Sequence, residues 1–126
     1  MTTLRQQLGD AGEREAEDYL VKRALQLIER NYRCRSGEID LVMTDPNPSD
    51  AEEVLVFVEV RLRGRGAQVS ALDSVDANKR SRLTSAARHF LMSNPQWQNH
   101  PCRFDVIAMD ATNDRLVWVP NAFEVE

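Results

Sequence analysis

The sequence predicts an α/β domain in which a mixed β-sheet has helices packed against its faces. Two observations carry that prediction. The apolar pattern along the chain reads helix, three strands, helix, two strands. The run Val54–Leu62 is almost continuously apolar, as expected of a central strand covered on both sides. The 126 residues suit one domain with one core, spanning 1–126.

Each element has its own signal. Leu4, Leu8, Ala11, Ala16, Tyr19, Leu20 and Ala24 recur at helical spacing, which predicts a helix over Leu4–Leu25. Gly9 and Gly12 weaken its first part, so the firm helix is expected to start near Asp10, with that residue as N-cap. Leu25–Arg33 and Gly37–Thr44 read as strands, and Pro46, Asn47 and Pro48 place a turn in Asp45–Glu53. After Val54–Leu62 comes a glycine-bearing loop, Arg63–Asp76. A second helix, Ala77–Asn94, carries the stripe Leu83, Ala86, Ala87, Phe90 and Leu91 and is closed by Pro95. Cys102–Asp110 and Leu116–Val119 complete the strands, with Thr112-Asn113-Asp114 at their turn and Asn121–Glu126 as a tail.

Composition narrows the class. An apolar fraction of 42% with 29% charged residues excludes fibrous and broadly disordered chains. No apolar run approaches the roughly 20 residues that span a bilayer. Met1–Asp10 lacks the apolar stretch of a signal peptide, so no membrane partner and a cytoplasmic location are expected. Cys34 and Cys102 form no CxxC motif and are expected as thiols, half-buried in or near strands. His89 and His100 lack metal-site spacing. The net charge of −4 argues against generic coating of phosphates but is compatible with a cation-binding acidic cluster.

The chemistry is expected in the middle strands. Side chains alternate along a strand, so Glu38 and Asp40 share one face, as do Phe57, Glu59 and Arg61. If these strands are neighbours, Asp40 and Glu59 meet with Arg61 beside them. Glu59 lies among Phe57, Val58 and Val60, an apolar setting in which an unpaired carboxylate is costly. Two such acids suit a hard cation such as Mg²⁺ (or Mn²⁺), which activates water and stabilises charge on a phosphodiester. Arg61 or a nearby lysine would contact the phosphate.

Gly37-Glu38-Ile39-Asp40-Leu41, Val56-Phe57-Val58-Glu59-Val60-Arg61, Lys79, Arg103-Phe104-Asp105-Val106 and Asn121-Ala122-Phe123 together resemble the motifs of the YraN-like family of uncharacterised bacterial proteins. That family is similar to Holliday junction resolvases and other PD-(D/E)xK enzymes. The resemblance implies a restriction-endonuclease-like α/β fold and a divalent-metal nuclease acting on DNA rather than RNA, with structured or branched DNA as a substrate. It also implies Asp40 as the motif aspartate, Glu59 as the start of the D/E-x-K element, and Glu13 as the helical glutamate, a further metal ligand. A homodimer would suit a two-fold junction. Arg61 stands where the pattern has lysine, and the two are not interchangeable. Lys79 is the candidate to supply the amine. The alternative is a non-catalytic nucleic-acid-binding protein that retains the fold.

Structural roles compete with each assignment. Glu59 and Arg61 can be a plain ion pair, and Asp40 can hold a backbone amide. Glu13 and Lys79 can be solvated helical charges, Glu38 a strand-edge charge, and Asp105 a buried hydrogen-bonded acid. Trp97 and Trp118 fit core packing better than base stacking. Positive charge gathers at Arg61, Arg63 and Arg65 around the glycine loop and at Lys79, Arg80 and Arg82 on the second helix, the expected contacts to phosphates or else a solvated basic loop.

Overall fold

The computed structural model describes residues 4–46, 52–63, 75–110 and 115–124. Strand β3 (Val54–Arg63) runs through the middle of a five-stranded sheet ordered β1-β2-β3-β4-β5, where β1 is Gln26–Cys34, β2 Gly37–Asp45, β4 Cys102–Asp110 and β5 Arg115–Phe123. β3 pairs antiparallel with β2 and parallel with β4, so the connection between β3 and β4 crosses the sheet and carries helix α2 (Ala77–Ser93). Helix α1 (Leu4–Val21) covers the other face.

The apolar run of β3 has the expected cause. Leu55 and Phe57 pack with Leu83, Ala86 and Phe90 of α2, while Val56 and Val58 pack with Ala16 and Leu20 of α1. The result is a mixed α/β sheet flanked by two helices, compatible with the restriction-endonuclease-like architecture. No helix among the described residues is long and apolar enough to cross a membrane.

Three boundaries differ from the sequence expectation, each for a tertiary reason. α1 begins at Leu4 and runs through Gly9 and Gly12, so Asp10 is a mid-helix residue and not the N-cap. Gly12 is buried, and a Cβ there would lie 3.8 Å from the Met109 sulfur of β4; packing on the sheet outweighs glycine's poor propensity. The helix also stops before Leu25. Leu25 N–H donates to the Leu20 carbonyl and Ala24 N–H to that of Val21, with Ala24 at φ 73. This is a Schellman ending, and its apolar contact, Leu20 with Leu25, joins the α1-side core.

At the other end, β5 continues to Phe123 and takes in the first residues of the expected tail. The pairing shifts between Phe104 and Val106, where Asn121 adopts φ 50 and its N–H donates to Asp105 at 2.9 Å. Pro120 is tolerated because β5 is an edge strand. Cys34 is half-buried as expected, but Cys102 is exposed; both are free thiols. The expected turn at Thr112-Asn113-Asp114, most of the Asp45–Glu53 turn and the glycine loop 64–74 lie outside the described residues.

One close approach fixes the distance between β2 and α2. A Cβ on Gly37 would sit 2.7 Å from the carbonyl oxygen of Arg82, inside contact distance of rigid helix backbone. Gly37→Ala is therefore expected to cost about 1–3 kcal/mol in denaturant unfolding, because strand and helix must separate. Ala24→Gly is expected to raise stability by about 1 kcal/mol, since glycine adopts the left-handed conformation without a Cβ penalty. An unchanged or lower unfolding midpoint for Ala24→Gly would contradict a left-handed ending of α1.

Candidate functional site

Strand β2 does something at Asp40 that simple alternation does not provide. Arg30 pairs with Leu41 and Tyr32 with Ile39 across the β1–β2 hairpin. Residues two apart normally share a face. Here Arg30 turns to α1, donating to Glu17 at 2.6 and 2.9 Å, and Leu41 joins the α1-side core. Tyr32 instead packs its ring edge-on against Phe90 of α2, 5.2 Å between centroids, and Ile39 joins the α2-side core. The hairpin rolls over at the intervening step, Asn31 opposite Asp40, where Asn31 has φ 51.

The β2–β3 ladder runs from Asp45↔Val54 up to Leu41↔Val58. Beyond it Asp40 substitutes its side chain, with Oδ2 accepting the Val60 N–H at 2.8 Å. That bond draws the carboxylate into the seam beside Glu59. Asp40 therefore both holds a backbone amide and meets Glu59; the two expected roles coexist.

Glu59 is 3% exposed. Its Oε1 lies 3.3 Å from Lys79 Nζ and 3.7 Å from the Arg61 guanidinium, while its Oε2 is buried with no hydrogen-bond partner. Lys79 is thus not a solvated helical lysine. It reaches in from the first turn of α2, whose N-cap Asp76 accepts the Lys79 N–H at 2.8 Å. A lysine amine thus reaches Glu59 from the neighbouring helix, alongside the guanidinium of Arg61 on β3 itself.

Glu13 of α1 approaches Asp40 from the opposite side. Burial is the main influence on all three acids. It raises Glu13 to about 7, helped by the Asp40 charge and a hydrogen bond to Asp40. It raises Glu59 to about 8, with Asp40 adding to the shift and Lys79 opposing it. Burial also raises Asp40, against the Val60 N–H and a hydrogen bond with Glu59 that favour its charge. Asp40 is the common acceptor between two glutamates that hold protons near neutrality.

The donor set suits a hard cation in one specific respect. The unpartnered Oε2 of Glu59 needs either a proton or a positive ion, and two carboxylates with water and phosphate oxygens are the usual company of Mg²⁺. The acids pair in series, Glu13 to Asp40 to Glu59, and among the described residues no three His, Cys, Asp or Glu form a closed metal cage.

The remaining expected residues separate. Arg82 and Lys79 line a groove of about 340 Å³. Arg80 points elsewhere, donating to the Val75 carbonyl at 3.0 Å with its guanidinium 5.5 Å from the Phe123 ring centre. Arg65 and the side chain of Arg63 lie outside the described residues. Glu38 pairs with Arg33 at 3.4 Å on the exposed hairpin. Asp105, fully buried, accepts from Arg103, Trp118 and Asn121 and is a structural acid. Trp97 packs at the margin of the α2-side core.

Sequence reasoning missed Arg33, Arg35 and Asn31. An asparagine inside an otherwise extended segment was the available signal for the last, since asparagine tolerates left-handed backbone.

Comparison with known proteins gives a consistent set of similarities. The profile of "Uncharacterised protein family UPF0102" matches residues 12–109. A UPF0102 protein of Pseudomonas putida strain GB-1 is 47% identical over 119 residues, 92% of each chain. One from Ectopseudomonas mendocina is 48% identical, covering 93% of this chain and 94% of the relative. One from Nitrosococcus oceani is 44% identical, covering 94% and 92%.

The raised acids have a consequence for the cation-free protein. Between the ordinary value of 4.5 and about 7 to 8, the folded state holds protons on Glu13 and Glu59 that the unfolded chain has lost. Stability contributed by these groups is present below that window and lost as pH rises through it. In EDTA the melting temperature is expected to fall by several degrees from pH 5 to pH 8.5, and Glu59→Gln is expected to flatten the fall. An equally steep fall in Glu59→Gln would contradict the assignment.

Proposed function

We propose that this chain, which belongs to the uncharacterised protein family UPF0102, is a divalent-metal-dependent endonuclease that hydrolyses phosphodiester bonds in DNA, with structured or branched DNA as its substrate class. One observation carries the reading. Lys79 Nζ stands 3.3 Å from Glu59, and Asp40 is held against the same buried carboxylate. A plain structural ion pair would bring one acid to the lysine; two acids crowded into one buried pocket repel unless a proton or a shared cation stands between them.

Asp40 and Glu59 would hold Mg²⁺ or Mn²⁺, with Glu13 joining through Asp40; when bound, the ion supplies charge against phosphoryl oxygens and makes water a better nucleophile. The chain's own groups do the rest. Lys79 and Arg61 present positive charge where the non-bridging oxygens gain negative charge as phosphorus becomes five-coordinate. Arg61 stays cationic, so its role is electrostatic. The Asp40–Val60 bond fixes one carboxylate, and the α2 N-cap fixes the backbone from which Lys79 reaches Glu59. A cytoplasmic setting, and a second copy of the chain to match a two-fold junction, belong to the same reading.

A second reading is a nucleic-acid-binding protein that retains the fold without catalysis. It is favoured by arginine at the lysine position of the motif, and by the serial pairing of the acids in place of a closed cage.

The two separate by incubating purified protein with Mg²⁺ or Mn²⁺ and linear, flapped and four-way DNA. Cleavage is expected, abolished by Asp40→Ala with Glu59→Ala and lowered roughly 10²-fold by Lys79→Ala. Cleavage that survives the double substitution would show a contaminant. Binding without cleavage on every substrate would select the second reading.

A further inference from the structure

A groove of about 340 Å³ beside the carboxylate centre is lined by Arg33, Arg35, Glu38, Lys79 and Arg82. Four cations face one carboxylate there, on a chain whose net charge is −4. Gathering like charges on an otherwise acidic protein opposes folding unless a counter-charge is expected. Glu38 supplies part of it, 3.4 Å from Arg33, although the two side chains are 51% and 74% exposed and hold each other weakly. Arg35 and Arg82 are exposed and have no ion-pair partner among the described residues.

The groove is built from two walls at a set separation. Cys34 pairs with Gly37, leaving Arg35 and Ser36 as the two-residue tip of the β1–β2 hairpin. Tight hairpin tips favour Asn, Asp or Gly, so turn chemistry does not account for an arginine. The other wall is the first turns of α2, held against the hairpin by the Gly37–Arg82 backbone approach. The groove also joins the centre. Lys79 lines it while reaching Glu59, and Glu38 lies two residues before Asp40.

We propose that this groove seats the phosphodiester backbone of the nucleic-acid strand next to the phosphate that enters the carboxylate centre. Arg33, Arg35 and Arg82 are the phosphate contacts, and Glu38 is a resident anion that the strand displaces from Arg33. Guanidinium groups from two walls can grip one phosphate bidentately and fix the strand's direction past Lys79. The inference rests on the nuclease reading for its orientation toward Asp40 and Glu59, but the binding itself requires no catalysis and no metal.

The test is fluorescence anisotropy in EDTA with a short labelled oligonucleotide, single-stranded and duplex, across a salt series. Removing one cation from a bound phosphate lowers the slope of log K against log salt by about 0.7 to 0.9. Arg33→Ala, Arg35→Ala and Arg82→Ala together are expected to weaken low-salt binding at least roughly tenfold and to reduce that slope by about two to three. Glu38→Gln is expected to tighten binding a few-fold, a change that a merely structural ion pair would not produce. An unchanged slope in the triple variant, or no binding by the wild type, overturns the proposal. Arginine-dependent binding without cleavage in Mg²⁺ or Mn²⁺ would reject catalysis and keep the groove. Undiminished cleavage with unchanged binding in the triple variant would reject the groove and keep catalysis.

Discussion

The burial of Glu59 is the constraint on which the surrounding architecture turns. Its strand is the middle of the sheet and is covered by helices on both faces, so water cannot solvate the carboxylate. A buried acid must be neutralised, paired or coordinated. The protein applies the second remedy in part, through Lys79 and Arg61 on one oxygen, and leaves the other to a proton or a positive ion beside Asp40. Asp105, equally buried one strand away, shows what a purely structural solution looks like. Both of its oxygens are occupied, by the Arg103 guanidinium, the Trp118 indole N–H and the Asn121 amide, and it closes the irregular pairing of β4 with β5. The two buried acids differ in their company: Asp105 is saturated by fixed donors, whereas Glu59 is crowded against a second carboxylate.

The rollover at Asn31 and Asp40 makes the unsaturated site accessible to both helices. A regular strand would have kept Asp40 on a single face. Because the hairpin turns over at that step, the carboxylate sits in the seam, where Glu13 of α1 reaches it from one side and Glu59 and Lys79 meet it from the other. Where the left-handed asparagine turns the strand over, the Asp40–Val60 hydrogen bond replaces a missing rung of the ladder. Backbone irregularity and carboxylate convergence are therefore one feature.

Helix α2 has three jobs along one length. Its apolar stripe of Leu83, Ala86, Ala87 and Phe90 closes the larger core. Its first turn delivers Lys79, and its outer side supplies Arg82 to the groove. The Gly37 contact ties these together, since the distance that sets core packing also sets the reach of the lysine and the width of the groove.

The sequence by itself determined the order of elements and the two-faced burial of β3, because hydrophobic periodicity and a continuous apolar run are local signals; it named Asp40 and Glu59 as partners on the condition that their strands lie side by side, which the sheet supplies. It also marked Arg61 as a departure from the lysine pattern and Asp105 as a structural acid. Only the tertiary structure decided that Lys79 reaches Glu59, that Arg80 belongs to a different surface from Arg82, and that Arg33 and Arg35 stand beside the Asp40–Glu59 centre. These are questions of how a helix is rotated and how closely it approaches a sheet. Helical periodicity names the buried stripe but leaves the flanking charges undirected until a close approach such as Gly37 with Arg82 fixes the helix in place. The rollover at Asp40 was hidden for the same reason. Alternation assumes a regular strand, and a single left-handed residue across the hairpin was enough to turn the chain over.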